Sequence, residues 1–218
     1  MGKEKKYWDG EENAVFTAHG SSNHSAYDRV KNDYYATDPS AIDDLFNVEN
    51  FSDRIWEPAC GEGHLSKRME KKGKDVFSTD LIDRGFGDDF FDFLKCGKDW
   101  DGDIITNPPY KYAKQFVLKS LEVVDEGNKV AFFMKLTFLE SEGRIELFEK
   151  HPPKKIWVYS YRKPVARNGD PKEFNKSSAV CYAWFVWEKG YKDNPKVGWI
   201  TKNGELEFVE DNKLEAFE

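Results

Sequence analysis

A tetrad of residues, Asn107-Pro108-Pro109-Tyr110, restricts how this chain can fold because it directly follows a short apolar run at residues 103–106. The run is typical of a β-strand. Two consecutive prolines end a strand because each lacks a backbone donor and has a fixed φ. In an open α/β sheet, ligands bind at the carboxyl ends of the strands. The tetrad therefore predicts an amide, a rigid carbonyl and an aromatic ring at a ligand-binding edge.

These three groups suit a flat heterocycle that carries an exocyclic amine. The side-chain oxygen of Asn107 and the carbonyl of Pro108 can accept both amine hydrogens, and Tyr110 can stack on the ring. A Pro-Pro turn with a capping asparagine is the alternative interpretation of the same residues. Motifs elsewhere in the chain decide between a ligand-binding tetrad and a capped turn.

The bulk composition is that of one medium α/β domain. The chain has 218 residues, of which 39% are hydrophobic and 16% aromatic. No apolar run of about 18 residues is present, so no membrane span is predicted. The three cysteines are unpaired by number and lack Cys-x-x-Cys spacing, which favours a reducing cytoplasm and argues against disulfides. The four histidines lack metal-ligand spacing as well, so no metal is predicted.

The net charge of −7 counts against a strongly basic nucleic-acid surface. Residues 162–176 are locally basic, with five basic and two acidic side chains. We interpret residues 162–177 as a basic substrate loop in which Arg162, Lys163 and Arg167 contact phosphates or base edges. An ordinary solvated loop is the alternative.

The order of predicted elements indicates a mostly parallel sheet with an antiparallel hairpin at one edge. A polar arm is predicted at residues 1–33, the main domain at 34–190 and a small acidic extension at 191–218. Apolar runs predict strands, and apolar faces of helical period predict helices. The predicted strands are at 54–56, 75–79, 103–106, 129–134, 155–161 and 179–187. One predicted helix begins at Asp38-Pro39, and three others cover 64–72, 112–126 and 141–150. A hairpin is predicted at 199–208.

A second candidate site is the glycine loop, residues 57–63, between a strand and a helix. Gly61 and Gly63 let the backbone approach a ligand closely. The full dinucleotide pattern is absent because Ser66 occupies its third glycine position, and no phosphate loop is present, so a phosphate ligand is not favoured. Asp80 ends the next strand, where a carboxylate can hold a ribose diol or cap a helix.

Taken in chain order, five segments resemble S-adenosylmethionine-dependent DNA adenine-N6 methyltransferases, and most closely the small phage- or prophage-borne type. The resemblance covers about residues 34–187. It implies a class I (Rossmann-like) α/β fold, in which a mostly parallel seven-stranded sheet with an antiparallel edge hairpin carries helices on both faces. The segments are Tyr35-Ala36-Thr37-Asp38-Pro39, the glycine loop, Asp80, Asp92-Phe93-Leu94 and the tetrad.

The resemblance also implies S-adenosylmethionine as cofactor and a set of residues that hold it. Thr37 and Glu57 would lie at its methionine moiety, Asp80 at its ribose, and Leu81 or Ile82 on its adenine. Asp92 would accept from the adenine amine with Phe93 against the ring, and Asp89-Phe90 is a rival for that role. The full implied cofactor set is Thr37, Glu57, Ala59, Gly61, Gly63, Asp80, Leu81, Ile82, Asp92 and Phe93.

The implied reaction is direct in-line attack of an adenine N6 amine on the methyl group, with no metal and no covalent enzyme intermediate. Asn107, Pro108, Pro109 and Tyr110 would be the catalytic residues, and the DNA would be double-stranded with a flipped adenine or single-stranded. Ribosomal-RNA and protein-glutamine methyltransferases share such a tetrad, so another amine acceptor is an alternative, as is a non-catalytic binding module. The oligomeric state, monomer or homodimer, is left open.

Overall fold

The computed structural model describes residues 35–167, 180–202 and 206–207. The predicted arm at 1–33, the far part of the basic loop and most of the acidic end lie outside these residues. The strands are β1 (Tyr35–Thr37), β2 (Arg54–Glu57), β3 (Asp75–Asp80), β4 (Asp89–Phe90), β5 (Asp103–Thr106), β6 (Lys129–Lys135), β7 (Lys155–Tyr159), β8 (Val165–Arg167), β9 (Tyr182–Glu188), β10 (Lys196–Ile200) and β11 (Leu206–Glu207). The helices are α1 (Ser40–Val48), α2 (Ser66–Lys71), α3 (Ala113–Val123) and α4 (Ile145–Lys150).

Within the described residues, nine strands form one sheet in the order β11-β10-β7-β9-β6-β5-β2-β3-β4. Strands β4, β3, β2, β5 and β6 pair in parallel, and β9 runs antiparallel between β6 and β7. This arrangement confirms the predicted α/β class and the mostly parallel sheet. The sheet has nine strands instead of the expected seven because β10 and β11 add beyond β7.

Helices cover both faces of the sheet, as expected. Side chains alternate between the faces, so that Ile104 and Phe132 join one apolar cluster while Ile105 and Phe133 join the other. The first cluster includes residues of α3 and α4, and the second includes residues of α1 and α2. Both faces of the central strands are therefore buried, which is typical of parallel sheets in α/β proteins.

The beginning of α1 follows from a single side chain. Asp38 Oδ1 accepts from the backbone nitrogen of Ser40 at 2.8 Å, which is the capping interaction predicted for Asp38. Ala41, Ile42 and Leu45 then form the buried face of the helix. No helix in the described part of the chain is long and apolar enough to cross a membrane.

A two-stranded antiparallel sheet of β1 and β8 lies apart from the main sheet. Three residue pairs form it, and Thr37 pairs with Val165. The sequence pattern did not predict this pairing, because each strand is short, with three described residues, and the partners are more than a hundred residues apart in the chain. It brings the segment before α1 against the start of the basic loop.

Candidate active site

A pocket at the carboxyl ends of β2, β3 and β5 brings together most of the predicted site residues. Such a position is expected for ligand binding in an open α/β sheet. The predicted residues that line it are Thr37, Glu57, Ala59, Asp80, Leu81, Ile82, Asn107, Pro108, Pro109 and Tyr110. The structure thus joins six of the ten proposed cofactor residues and the whole tetrad in one cavity.

Asp80 connects the glycine loop to the end of β3. Its Oδ2 accepts from the backbone nitrogen of Gly61 at 2.9 Å, and its Oδ1 accepts from that of Ile82 at 3.0 Å. Gly61 has a φ of 57°, a conformation that favours glycine. An ionised carboxylate has about four acceptor sites, so these two hydrogen bonds orient Asp80 and leave capacity for a ligand diol.

Gly63 is required by a close contact as well as by its backbone. Its φ is 78°, and a Cβ atom there would lie 2.4 Å from the ring of Phe86. Phe86 belongs to the loop after β3, and Lys67 Nζ lies 4.6 Å from the centroid of its ring. The aromatic ring therefore packs directly on the glycine loop, which no larger residue at position 63 would allow without displacement.

Glu57 is a buried acid at the bottom of the pocket, only 2% exposed. The Ser66 hydroxyl hydrogen-bonds to Glu57 Oε2, and Ser66 Oγ lies 2.7 Å from Ser78 Oγ. Burial raises the pKa of Glu57 to about 8, despite the hydrogen bonds from Ser66, and the charge of Asp80 adds to the rise. Among the described residues Glu57 forms no ion pair within 4.0 Å, so a cation next to it would compensate its burial.

Cys60, in the same loop, lines the pocket without being a plausible nucleophile. Burial raises the pKa of its thiol, and the nearby acidic side chains of Glu57 and Asp80 raise it further. The thiolate is the reactive form of cysteine. Cys60 therefore stays protonated and inert at neutral pH.

The tetrad leaves the sheet at the end of β5. The amide nitrogen Nδ2 of Asn107 donates to Thr37 Oγ1 at 2.9 Å, which fixes the rotation of the amide, with Oδ1 on the side away from Thr37. Tyr110 begins a single 3-10 turn, Tyr110–Tyr112, that leads into α3. Thr37, expected at the cofactor's methionine moiety, thus lines the pocket and also holds the tetrad amide.

Lys135 lies beside the tetrad and was not predicted from the sequence. It ends β6, next to β5 in the sheet, and its Nζ lies 4.8 Å from the centroid of the Tyr110 ring. This is a cation–π contact on the ring that we expected to stack on a base. The position of Lys135 at the carboxyl end of a predicted strand was the signal that could have identified it.

Two further missed residues, His64 and Arg84, also line the pocket. His64 follows the glycine loop directly, and burial lowers its pKa. Arg84 lies in the loop between β3 and β4. Both follow predicted cofactor residues closely in sequence, which was the available signal.

The structure does not place Asp92 and Phe93 in the pocket. Phe93 is 2% exposed, and its ring packs 5.1 Å from Trp56 and 5.1 Å from Phe116, so it belongs to the core and not to a ligand surface. The reason is local, because Asp92 accepts from the backbone of Leu94 at 3.1 Å and begins a 3-10 turn that directs Phe93 inward. A role for Asp92 itself stays a prediction.

The rival pair Asp89-Phe90 forms β4 and pairs with the end of β3. Phe90 lies opposite Asp80 in the parallel register, and its side chain is 40% exposed. Asp89 Oδ1 accepts from the backbone nitrogen of Phe90 at 2.8 Å. Phe90 therefore lies beside the predicted ribose-binding carboxylate in the sheet, and its ring is partly accessible.

The three predicted substrate residues have different surroundings. Lys163 is 4% exposed, and its Nζ lies 2.6 Å from Asp44 Oδ2, so its ammonium is engaged within the domain, and a contact with substrate stays a prediction. Its apolar stem and paired ammonium are buried against α1. Arg162 is exposed and donates to Cys181 Sγ, while Arg167 ends β8 and its side chain lies outside the described residues.

Comparison with known proteins identifies the fold. A scan against protein-family models found no match, and a search of curated proteins found none either. Among solved structures, a class I S-adenosylmethionine-dependent methyltransferase from Listeria monocytogenes, whose function is assigned provisionally, superposes with a TM-score of 0.54 at 16% identity, over 85% of this chain and 70% of that one. The chain has the class I methyltransferase fold.

A second similar structure is the type IIG restriction endonuclease BpuSI, with a TM-score of 0.52 at 15% identity. The match covers 85% of this chain but only 28% of that one. At these identities the similarity concerns the fold, and the substrate has to be argued from the site.

Proposed function

We propose that this chain is an S-adenosylmethionine-dependent methyltransferase that methylates the N6 amine of adenine in DNA. The observation that carries the proposal is the amide of Asn107, which Thr37 holds at 2.9 Å beside a pocket that Glu57 and Asp80 also line. An oriented amide next to a ribose-type carboxylate and a buried acid is the arrangement that amine methylation requires. The fold supports the same conclusion.

The pocket residues fit S-adenosylmethionine. Glu57 would face the ammonium group of the cofactor, which compensates the buried carboxylate, and Asp80 would accept from the ribose hydroxyls. Leu81 or Ile82 would cover its adenine, and the bare backbone of Gly61 permits close approach. When bound, the cofactor supplies an electrophilic methyl group on a sulfonium.

The tetrad would position the amine. Asn107 Oδ1 and the Pro108 carbonyl would accept the two amine hydrogens, which directs the nitrogen lone pair along the line of attack. Holding both partners in register is the main catalytic effect of such a site. Tyr110 would stack on the extruded base, whose unstacking costs on the order of a few kcal/mol.

The choice of adenine rests on the tetrad and the glycine loop together. An asparagine at the first place of the tetrad favours adenine N6 over cytosine N4, by resemblance. The glycine loop begins Glu57-Pro58-Ala59-Cys60, whereas RNA and protein-glutamine enzymes with this tetrad usually begin it with Asp-x-Gly. The net charge of −7 favours the alternative of a less anionic acceptor, so the acceptors must be compared directly.

A methyl-transfer assay tests the proposal. Labelled S-adenosylmethionine is incubated with double-stranded DNA, single-stranded DNA, RNA and protein, and the digested nucleosides are analysed by mass spectrometry. We expect N6-methyladenine from DNA. The variant Asn107→Ala should lower kcat by about 100-fold or more with cofactor affinity retained.

The matched control is Asn128→Ala, which removes an asparagine side chain from the loop before β6, at the opposite end of the sheet. This variant should retain wild-type kcat. Transfer to RNA or protein but not to DNA would refute the proposed substrate. Unchanged turnover in Asn107→Ala would refute the role of the tetrad.

A further inference from the structure

We propose that Lys163 is a positioning residue for methyl transfer, acting through β8, β1 and Thr37 on the amide of Asn107. The inference rests on the proposed function, because it assigns Asn107 a role in the reaction. It replaces the expected substrate contact of Lys163 with a role inside the domain.

Lys163 attaches the start of the basic loop to α1. Its Nζ lies 2.6 Å from Asp44 Oδ2 and donates to Ser40 Oγ at 2.7 Å, and the residue is 4% exposed. The hydroxyl of Tyr161 donates to the same Asp44 oxygen at 3.2 Å. A buried ammonium with two acceptors on one helix has a single defined position, so this segment of chain is held rigidly against α1.

The anchor continues directly to Thr37 along the backbone. Val165, two residues after Lys163, pairs with Thr37 in the β1–β8 register. Two-stranded sheets are marginally stable on their own, and the described residues of this one form three pairs. The pairing therefore depends on groups that hold its ends, and Lys163, two residues before β8, is such a group.

The same lysine also reaches Thr37 from the helix side. Ser40 Oγ, which accepts from Lys163, donates to Asp38 Oδ1 at 2.7 Å. Asp38 is the residue after Thr37. The ammonium of Lys163 is therefore connected to β1 in two ways, through the pairing with β8 and through the residue that follows β1. Thr37 Oγ1 then accepts from Asn107 Nδ2 at 2.9 Å. Three hydrogen bonds and the peptide bond between Thr37 and Asp38 thus link a lysine in the basic loop to the tetrad amide.

The test compares Lys163→Met with the matched control Lys155→Met. Lys155 also pairs with a buried acid, Glu49, at 2.7 Å, but it lies at the amino end of β7, away from the pocket. We expect Lys163→Met to lower kcat by about 10- to 100-fold, since small displacements of positioned groups have effects of this size. Lys155→Met should retain kcat. The slope of log affinity for DNA against log salt should not change in either variant.

A double-mutant cycle tests the route of the effect. In a Thr37→Val background, adding Lys163→Met should lower kcat by less than about 2-fold, because coupled residues are not additive. Ser40→Ala removes one hydroxyl without exposing a charge. It should also lower kcat, but by a smaller factor than Lys163→Met does. It provides a measurement if Lys163→Met does not fold.

Hydrogen exchange separates a failure of this inference from a failure of the proposed function. The amides of β1 should exchange faster in Lys163→Met than in Lys155→Met without any substrate present. Unchanged β1 exchange would overturn the inference even if the wild-type protein methylated no DNA. Unchanged kcat, fully additive effects, or a salt slope that falls by about one would also overturn it, the last by indicating a phosphate contact.

Discussion

Asn107 Nδ2 lies 2.9 Å from Thr37 Oγ1, although the two residues are 70 positions apart in the chain. Thr37 was expected to hold the cofactor, and Asn107 to hold the acceptor amine. Their contact means that one hydroxyl borders both halves of the pocket. Changes on the cofactor side can therefore alter the orientation of the amide that acts on the acceptor.

Thr37→Val removes the hydroxyl that accepts from Asn107 and keeps the β-branched shape. The amide then loses its fixed rotation, so we expect kcat to fall by about 10- to 100-fold. Thr37→Ser retains the oxygen and should keep kcat within about 3-fold of wild type. Single-turnover methyl transfer at saturating cofactor measures the effect. Equal turnover in the Val and Ser variants would show that the contact has no role.

Gly63→Ala tests the packing of Phe86 on the glycine loop. Gly73→Ala is the matched control, because Gly73 also has a positive φ, of 85°, but nothing lies within 4 Å of a Cβ there. The control should lose roughly 1 kcal/mol of unfolding free energy through its backbone alone. Gly63→Ala should lose about 1–3 kcal/mol more, because the ring must move.

Cofactor affinity provides a second measurement on the same pair of variants. Titration calorimetry should show weaker binding in Gly63→Ala and unchanged binding in Gly73→Ala. Adding Phe86→Ala to Gly63→Ala should recover part of the stability. Identical losses in the two glycine variants would contradict the close contact.

The pH dependence of stability should carry a contribution from Glu57. Its pKa is raised to about 8 in the folded protein, from the ordinary value of 4.5. The folded state keeps the proton where the unfolded chain has lost it. The contribution of this carboxyl to stability is therefore complete below about pH 4.5 and declines up to about pH 8, by at most about 1.4 kcal/mol per pH unit.

Glu57→Gln removes this titration and keeps a side-chain oxygen that can accept from Ser66. Urea unfolding at about pH 5.5 and about pH 7.5 should show that the variant gains stability relative to wild type at the higher pH. If the free energies of unfolding of the variant and the wild type differed by the same amount at both pH values, Glu57 would be ionised in the folded protein.

Lys135→Met tests whether the cation over Tyr110 contacts the DNA. Lys98→Met is the control, since Lys98 Nζ also lies over an aromatic ring, 4.4 Å from the centroid of Phe77, but Phe77 does not line the pocket as Tyr110 does. If Lys135 binds a phosphate beside the target base, the slope of log affinity against log salt should become shallower by about one in Lys135→Met only. Fluorescence anisotropy with labelled DNA measures both slopes. If the slopes of log affinity against log salt were equal in the two variants, Lys135 would only pack on Tyr110 and would not contact a phosphate.

Local patterns in the chain predicted the central strands of the sheet and most of the residues that line the pocket. The apolar runs predicted the strands of the parallel core, because a strand buried on both faces has to be continuously apolar. The positions of Asp80 and Asn107 followed from strand ends, since parallel strands present their carboxyl ends at one edge of the sheet. Asp38 was identified as a cap because its interaction with Ser40 spans two residues.

Tertiary structure decided which polar side chains are available to a ligand. Lys163 and Phe93 have residue types that suit DNA and adenine, but Asp44 and Trp56, far away in sequence, bury them. Whether a lysine pairs with an acid depends on the packing of α1 against the later loop, and no local pattern encodes that distance. The sequence by itself therefore determined the fold class and the binding edge, whereas long-range packing determined the contacts of Lys163, Lys135 and Thr37.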